Sequence, residues 1–233
     1  MKRLLLISAL LFNFNGWADE NNITEVRITM SDGIRLAADI YWPAGADKKD
    51  RYPILLEYLP YRKDESRARN YSLYSYFLEH DYLVVRVDMR GTGNSEGITI
   101  PYEYSDIELD DGEEVINWLS QQEWSTGSVG MFGISWGGFN SIQMAMRNPP
   151  ALKAFVSLMA TEYLYQEDVH YMDGIMHTDS WMMGNDLYNV LPGAPDFKMD
   201  EEWVKNRFNV KPSVYTYMRQ QRDGAFWDRA SAK

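Results

Sequence analysis

Gly133-Ile134-Ser135-Trp136-Gly137 is the stretch of this chain whose residue types and spacing could do covalent chemistry. A serine with a glycine two residues before it and another two residues after it is the pattern of a nucleophile elbow, a strand that turns abruptly into a helix. The glycines are required because the two backbones pass so closely that a side chain at either position would collide. The turn holds the serine in strained φ/ψ and points its hydroxyl outward. Residues 128–134 read as a short buried strand, and a second glycine, Gly138, leads into the helix behind. The competing reading is an ordinary serine in a glycine-rich turn.

A serine hydroxyl is a weak nucleophile until a base removes its proton. The chain has three histidines. His80 precedes the serine and ends a helix, while His170 and His177 follow it too closely to come after another strand. With Asp168, Asp173 and Asp179 these last two could suggest a metal site, but their spacing fits no zinc pattern and packed or surface histidines are expected. No cofactor or metal is expected. The absence of cysteine excludes a thiol nucleophile and a zinc-thiolate centre.

The residues around Ser135 belong to a chain of 233 residues, 45% hydrophobic, long enough for one sizeable core. Its first 18 residues stand apart: Lys2 and Arg3, an apolar run from Leu4 to Phe14, and small residues at Gly16-Trp17-Ala18. That is the layout of a secretory signal peptide with cleavage after Ala18. The apolar run is short of the ~20 residues a spanning anchor needs. Export to the periplasm or the extracellular space is expected, with no stable membrane anchor. Loss of Lys2 and Arg3 takes the formal charge from −11 to −13. Such a surface argues against nucleic acid as a partner.

The elements that must position the serine follow in order. Residues 25–30 and 34–40 alternate polar and apolar about the turn Ser31-Asp32-Gly33, an antiparallel hairpin. Residues 53–58 and 82–88 are apolar strands, with a helix near 71–79 between them. The glycine-rich loop 89–97 lacks the spacing and the lysine of a phosphate cradle and reads as a tight loop beside the active-site strand. Acidic residues cluster from Glu103 to Glu114, and the expectation is a solvated helix start, favoured by the macrodipole. The elbow helix runs to about Arg147 and stops at Pro149-Pro150, before a sixth strand at 153–159. Beyond Thr161 no strand is clear. Met, Trp and Tyr are frequent there, and residues 201–207 and 214–222 read as helical. Strands three to six with helices between them give a doubly wound, mostly parallel α/β sheet. In such a sheet reactive groups gather at the carboxyl ends of the strands, where Ser135 and Tyr61 both fall.

Five segments also share one pattern in order and spacing: residues 29–39, Leu59-Pro60-Tyr61-Arg62-Lys63, residues 88–97, the elbow 133–138, and Asp168-Val169-His170-Tyr171. From about Ile23 onward the chain resembles the Xaa-Pro dipeptidyl-peptidase and cocaine-esterase group of α/β-hydrolases. The resemblance implies an α/β-hydrolase fold with a helical cap and acyl transfer through a serine ester. Ser135 matches the nucleophile, the backbone N–H of Trp136 one oxyanion donor, and Tyr61 the phenol that supplies the other. Read without the resemblance, Tyr61 is equally a surface-loop tyrosine. In α/β-hydrolases the acid and then the histidine follow the serine along the chain. Neither is evident before Lys233, so both are expected beyond it.

The expected organisation is a signal peptide at 1–18, a hydrolase core at 19–160, and the start of a helical cap at 161–233. The expected function is an exported serine hydrolase that takes a small ester, an amide or a short Xaa-Pro peptide. The alternative is a short, catalytically inactive binding protein that keeps the pocket.

Overall fold

The computed structural model describes residues 22–65, 67–167, 171–172, 175–176, 188–193 and 195–232. The expected signal peptide, Asp168, His170, Asp173, His177 and Asp179 lie outside the described residues.

Alternating apolar residues in β1 (Ile23–Thr29) and β2 (Arg35–Tyr41) form the expected hairpin, with Gly33 at φ 88 in its turn. β2 then pairs antiparallel with β4 (Leu83–Asp88), which is buried along its whole length. From there the sheet is parallel: β4 beside β3 (Tyr52–Leu59), β3 beside β5 (Ser125–Ile134), and β5 beside β6 (Leu152–Leu158). The order β1-β2-β4-β3-β5-β6 makes a six-stranded mixed sheet whose parallel strands are joined by helices. The helices are α1 (Arg67–Leu78), α2 (Asp106–Ser120) and α3 (Trp136–Arg147). This is the α/β architecture that the strand–helix rhythm predicts.

Each helix has a sequence reason for its place. α2 turns Leu109, Val115, Ile116 and Leu119 into the core at helical spacing. α3 ends where Asn148 takes the left-handed conformation at φ 53, and Pro149 follows, so the helix cannot continue. β6 is an outer strand of the sheet, and Phe155 and Val156 are about half exposed, at 47% and 53%.

Two expectations change. The acidic start of α2 is not simply solvated: Glu103, Glu108 and Asp111 are buried. Each has partners that replace water. Arg90 grips Asp111 through two hydrogen bonds of 2.7 Å, Tyr217 meets Glu103, and Trp136 meets Glu108. The segment after β6 is also not purely helical. Tyr171–Met172 and Ile175–Met176 form a short antiparallel ladder, β7 and β8. Among the described residues its helices are short: α4 (Leu164–Glu167), α5 (Glu201–Trp203, running on as a π-helical turn, Val204–Phe208), α6 (Val214–Tyr217) and α7 (Ala225–Asp228). Stretches this short do not hold themselves together. They are held by aromatic contacts, with Trp227 packed against Tyr165, Tyr171, Tyr217 and Phe226.

One of the close backbone approaches in this fold lies between α3 and β6. A Cβ at Gly138 would sit 2.5 Å from the Leu158 carbonyl oxygen, a backbone atom fixed by the sheet. Gly138→Ala is therefore expected to destabilise the fold by at least about 2 kcal/mol, read from urea unfolding.

Candidate active site

The residues past the carboxyl ends of the parallel strands share a conformational signature. Arg62 after β3, Gly91 and Gly93 after β4, Ser135 after β5 and Met159 after β6 all have positive φ. For a residue other than glycine this is uncommon and strained. It makes the chain reverse within one or two residues, so the loops after these strands collect at one end of the sheet.

Ser135 has φ 57 and ψ −121, and its N–H donates to the Leu158 carbonyl at 2.9 Å. A Cβ at Gly133 would lie 2.4 Å from the carbonyl carbon of Gly137. The elbow is thus sterically closed to anything larger than glycine at that position, as its pattern predicts. The serine side chain is half-buried.

Tyr61 reaches the same point from the loop after β3. Its hydroxyl donates to Ser135 Oγ at 3.2 Å, and the Trp136 N–H points at the Tyr61 oxygen from 3.4 Å. Of the candidates from sequence, Ser135, Tyr61 and Trp136 therefore come together. A nucleophilic oxygen, a phenol donor and an amide N–H at the start of a helix converge, and such donors can receive charge that develops on a carbonyl oxygen.

The Tyr61 loop is held by charged groups that motif reasoning left unassigned. Asp88, at the end of β4, accepts from the Lys63 N–H at 2.6 Å and the Asn94 N–H at 3.0 Å. One buried carboxylate thereby ties the Tyr61 loop to the glycine-rich loop. The glycine-rich loop accordingly packs beside the site, and a Cβ on Gly93 would strike Asp88 at 2.2 Å. Lys63 itself is buried and bonded to Asp39 at 2.8 Å and Asp64 at 2.9 Å. Burial alone would pull its ammonium down, but Asp39 and Asp64 reverse the sign and raise its pKa. Arg62 donates to the Pro192 carbonyl at 3.0 Å and stands over the Tyr188 ring at 5.1 Å. Arg207 donates to the Gly93 carbonyl at 2.8 Å. Residues 188–193 therefore lie against both loops, and the π-helical turn against the glycine-rich one.

A hidden carboxyl lies directly under the elbow. Glu108 of α2 accepts from the Trp136 indole N–H at 2.6 Å and the Tyr104 N–H at 2.6 Å. Burial pushes it up to about 8, against the opposing pull of these hydrogen bonds.

His80 is the histidine among the described residues. It sits ahead of β4, hence at the amino end of a parallel strand, whereas Ser135 sits at a carboxyl end. Its Nδ1 lies 2.7 Å from the Tyr76 carbonyl oxygen. It is on the wrong side of the sheet to serve Ser135. No group of three or more His, Cys, Asp or Glu side chains that could hold a metal occurs among the described residues.

Comparison with known proteins agrees with this architecture. The family profile of the X-Pro dipeptidyl-peptidase (S15 family) matches residues 32–233. The chain belongs to this family. It is 35% identical over 145 residues to the cocaine esterase of Rhodococcus sp. (strain MB1 Bresler), covering 61% of this chain and 24% of that protein. A putative Xaa-Pro dipeptidyl-peptidase of Streptomyces avermitilis is 26% identical over 194 residues, covering 70% of this chain and 28% of that protein. A CocE/NonD family hydrolase from Staphylococcus aureus superposes with a TM-score of 0.70 at 24% identity, over 89% of this chain and 38% of its own. The S15 chain thus spans about a quarter of the length of these curated relatives.

Burial raises the Asp88 carboxyl from 3.8 to about 6. The folded state therefore holds a proton that the unfolded chain releases, and stability falls as pH rises from about 4 to about 6, by roughly 3 kcal/mol for this shift. Asp88→Asn is expected to flatten that decline in urea unfolding measured across this range. It is also expected to leave one of the two backbone donors poorly matched.

Proposed function

We propose that this S15 chain carries the nucleophile half of an exported serine hydrolase site. Ser135 would attack the acyl carbonyl of a small ester, an amide or an N-terminal Xaa-Pro peptide. The observation that carries the reading is the convergence of Tyr61 and the Trp136 N–H on Ser135, at 3.2 Å from phenol to Oγ and 3.4 Å from amide to phenol.

In the first half-reaction the Ser135 proton passes to a histidine base outside the described residues as the Oγ–C bond forms. The carbonyl oxygen takes the negative charge and receives the Tyr61 O–H and Trp136 N–H. Collapse breaks the bond to the leaving alcohol or amine, which takes the proton from the base and leaves an acyl-serine. Water then attacks the acyl-serine, the base accepts the water's proton, and the acid product departs as the proton returns to Oγ. Tyr61 suits this role because its loop is fixed by Asp88 and Lys63 before substrate arrives, so little reorganisation is needed as charge develops.

A fluorophosphonate probe is expected to label Ser135 in the natural gene product and not in Ser135→Ala. A folded protein that resists the probe would overturn the reading and favour an inactive binding protein. Tyr61→Phe is expected to lower kcat on aryl esters by about 100- to 1,000-fold with KM little changed, the loss typical of one oxyanion donor. Ala-Pro arylamides that are cleaved only with a free amine would assign the substrate to the peptidase class.

Export rests on the leader-like first 18 residues. Protein recovered from the periplasm or medium of the producing cell is expected to begin at Asp19, as read by N-terminal mass spectrometry. Recovery of an intact Met1 terminus from the cytoplasm would overturn it.

A further inference from the structure

Two of the inward-facing residues of α2 are carboxyls, Glu108 and Asp111, and Asp111 is taken up by the two hydrogen bonds from Arg90. Leu109, Val115, Ile116 and Leu119 supply ordinary core contacts, whereas Glu108 places a fully buried carboxyl beneath the first residue of α3. A buried carboxyl costs stability unless its oxygens are matched by donors. Here the donors are specific. Trp136 Nε1 and the Tyr104 N–H each approach to 2.6 Å, one on each carboxyl oxygen. One of the two partners, Trp136, opens α3, and the ring of the residue that supplies the other, Tyr104, packs on Trp136 at 5.8 Å and on Phe139 at 5.0 Å. Everything the carboxyl holds is therefore either α3 or a surface against which α3 leans.

We propose that Glu108 is a positioning residue for the oxyanion hole, clamping the Trp136 indole so that the backbone N–H of the same residue stays aimed beside Ser135 and Tyr61. The inference rests on the reading of Ser135 as nucleophile and of the Trp136 N–H as oxyanion donor. The physical basis is that Trp136 is held at two ends. Its backbone sits at the strained exit from Ser135, and its side chain is pinned by a 2.6 Å hydrogen bond that becomes charge-assisted when Glu108 ionises. A carboxylate at this place also lies near the amino end of α3, where the macrodipole favours negative charge.

The clamp depends on protonation, because a neutral carboxyl has a proton on one of the two oxygens that the donors share. The groups facing Glu108 are few. Glu103 opposes its ionisation, and the Tyr58 hydroxyl donates to the Glu108 backbone carbonyl at 3.0 Å rather than to the carboxyl. Asp111, one turn on along α2, is paired with Arg90 at 2.7 Å, and Arg229 donates to the Tyr104 carbonyl. With burial holding the Glu108 carboxyl up to about 8, the clamp tightens as pH rises through that value.

Two measurements on the natural gene product test the proposal, each with near-UV circular dichroism to confirm folding. The first is the rate of fluorophosphonate labelling at Ser135 between pH 6.5 and 9.5. The wild type is expected to show a rise through about pH 8, absent from Glu108→Gln and from Trp136→Phe, each of which labels roughly 10-fold more slowly at pH 9. The double variant should be no slower than either single one, as required when both act through one hydrogen bond. Folded single variants that keep the wild-type rate and pH profile overturn the proposal. The second is the ¹⁵N–¹H resonance of the Trp136 indole, expected to titrate near pH 8 in the wild type and not in Glu108→Gln. An indole signal that ignores both pH and Glu108→Gln overturns the clamp whether or not Ser135 reacts. Absence of labelling in the wild type beside a titrating indole rejects the nucleophile reading alone.

Discussion

The structure turns on the distance at which the end of β5 and the start of α3 pass each other. The backbone at Gly133 runs so close to Gly137 that a methyl group could not enter, and Gly138 stands equally close to the β6 backbone. From that approach the remaining geometry follows. The strand must reverse within one residue, so Ser135 is forced to φ 57 and its side chain projects from the sheet end. Strain of about 1–3 kcal/mol at such a residue persists only where the surroundings over-determine it. Here the surroundings are a parallel register with β6 on one side and the packing of α3 on the other.

The same end of the sheet gathers the buried ionic groups of the described core. Asp88 bridges two loops, Lys63 joins Asp39 to Asp64, and Glu108 lies beneath the elbow helix. Arg86 and Glu57 form a further buried pair at 2.9 Å within adjacent strands β4 and β3. Buried ion pairs are weak contributors to stability, since desolvation offsets most of the attraction. Their concentration here makes better sense as conformational specification. An apolar side chain in place of Asp88 could fill the volume, but it could not tell the Lys63 and Asn94 amides where to stand.

Much of this is legible in the sequence. The elbow was readable because its sterics admit so few residues, and the order of strands and helices because apolar runs alternate with helical faces. The family resemblance extended the reading to Tyr61, whose loop carries no local signature of its own. What escaped was burial of charge. Glu103, Glu108 and Asp111 sit in an acidic run that composition assigns to solvent, and each is inside because of a partner distant in sequence: Tyr217, Trp136 and Arg90. Long-range pairing of this kind has no periodicity. Part of the segment after β6 escaped for a related reason. The helical stretch at 201–208 falls where the sequence places it, but the two-residue strands β7 and β8 are below the length at which propensity decides structure, and contact of Tyr171 with Trp227 helps to decide it instead.

The placement of the site has a further consequence for how its parts can be divided. On the reading proposed above, the nucleophile and both oxyanion donors directly follow two interior strands, β3 and β5, which are adjacent and in parallel register. Their mutual geometry is therefore set by backbone hydrogen bonds and by loops stapled to Asp88. A base need satisfy only one contact, to Ser135 Oγ, and can be supplied by a separate element without disturbing the donors. Electrostatic preorganisation belongs where the backbone is stiffest, and proton transfer tolerates a partner brought in from elsewhere. His80, fixed at the amino end of β4, could not reach that oxygen without crossing the sheet. If Ser135 is the proposed nucleophile, its base must approach from the carboxyl side, the side on which residues 188–193 already lie across the Tyr61 and glycine-rich loops.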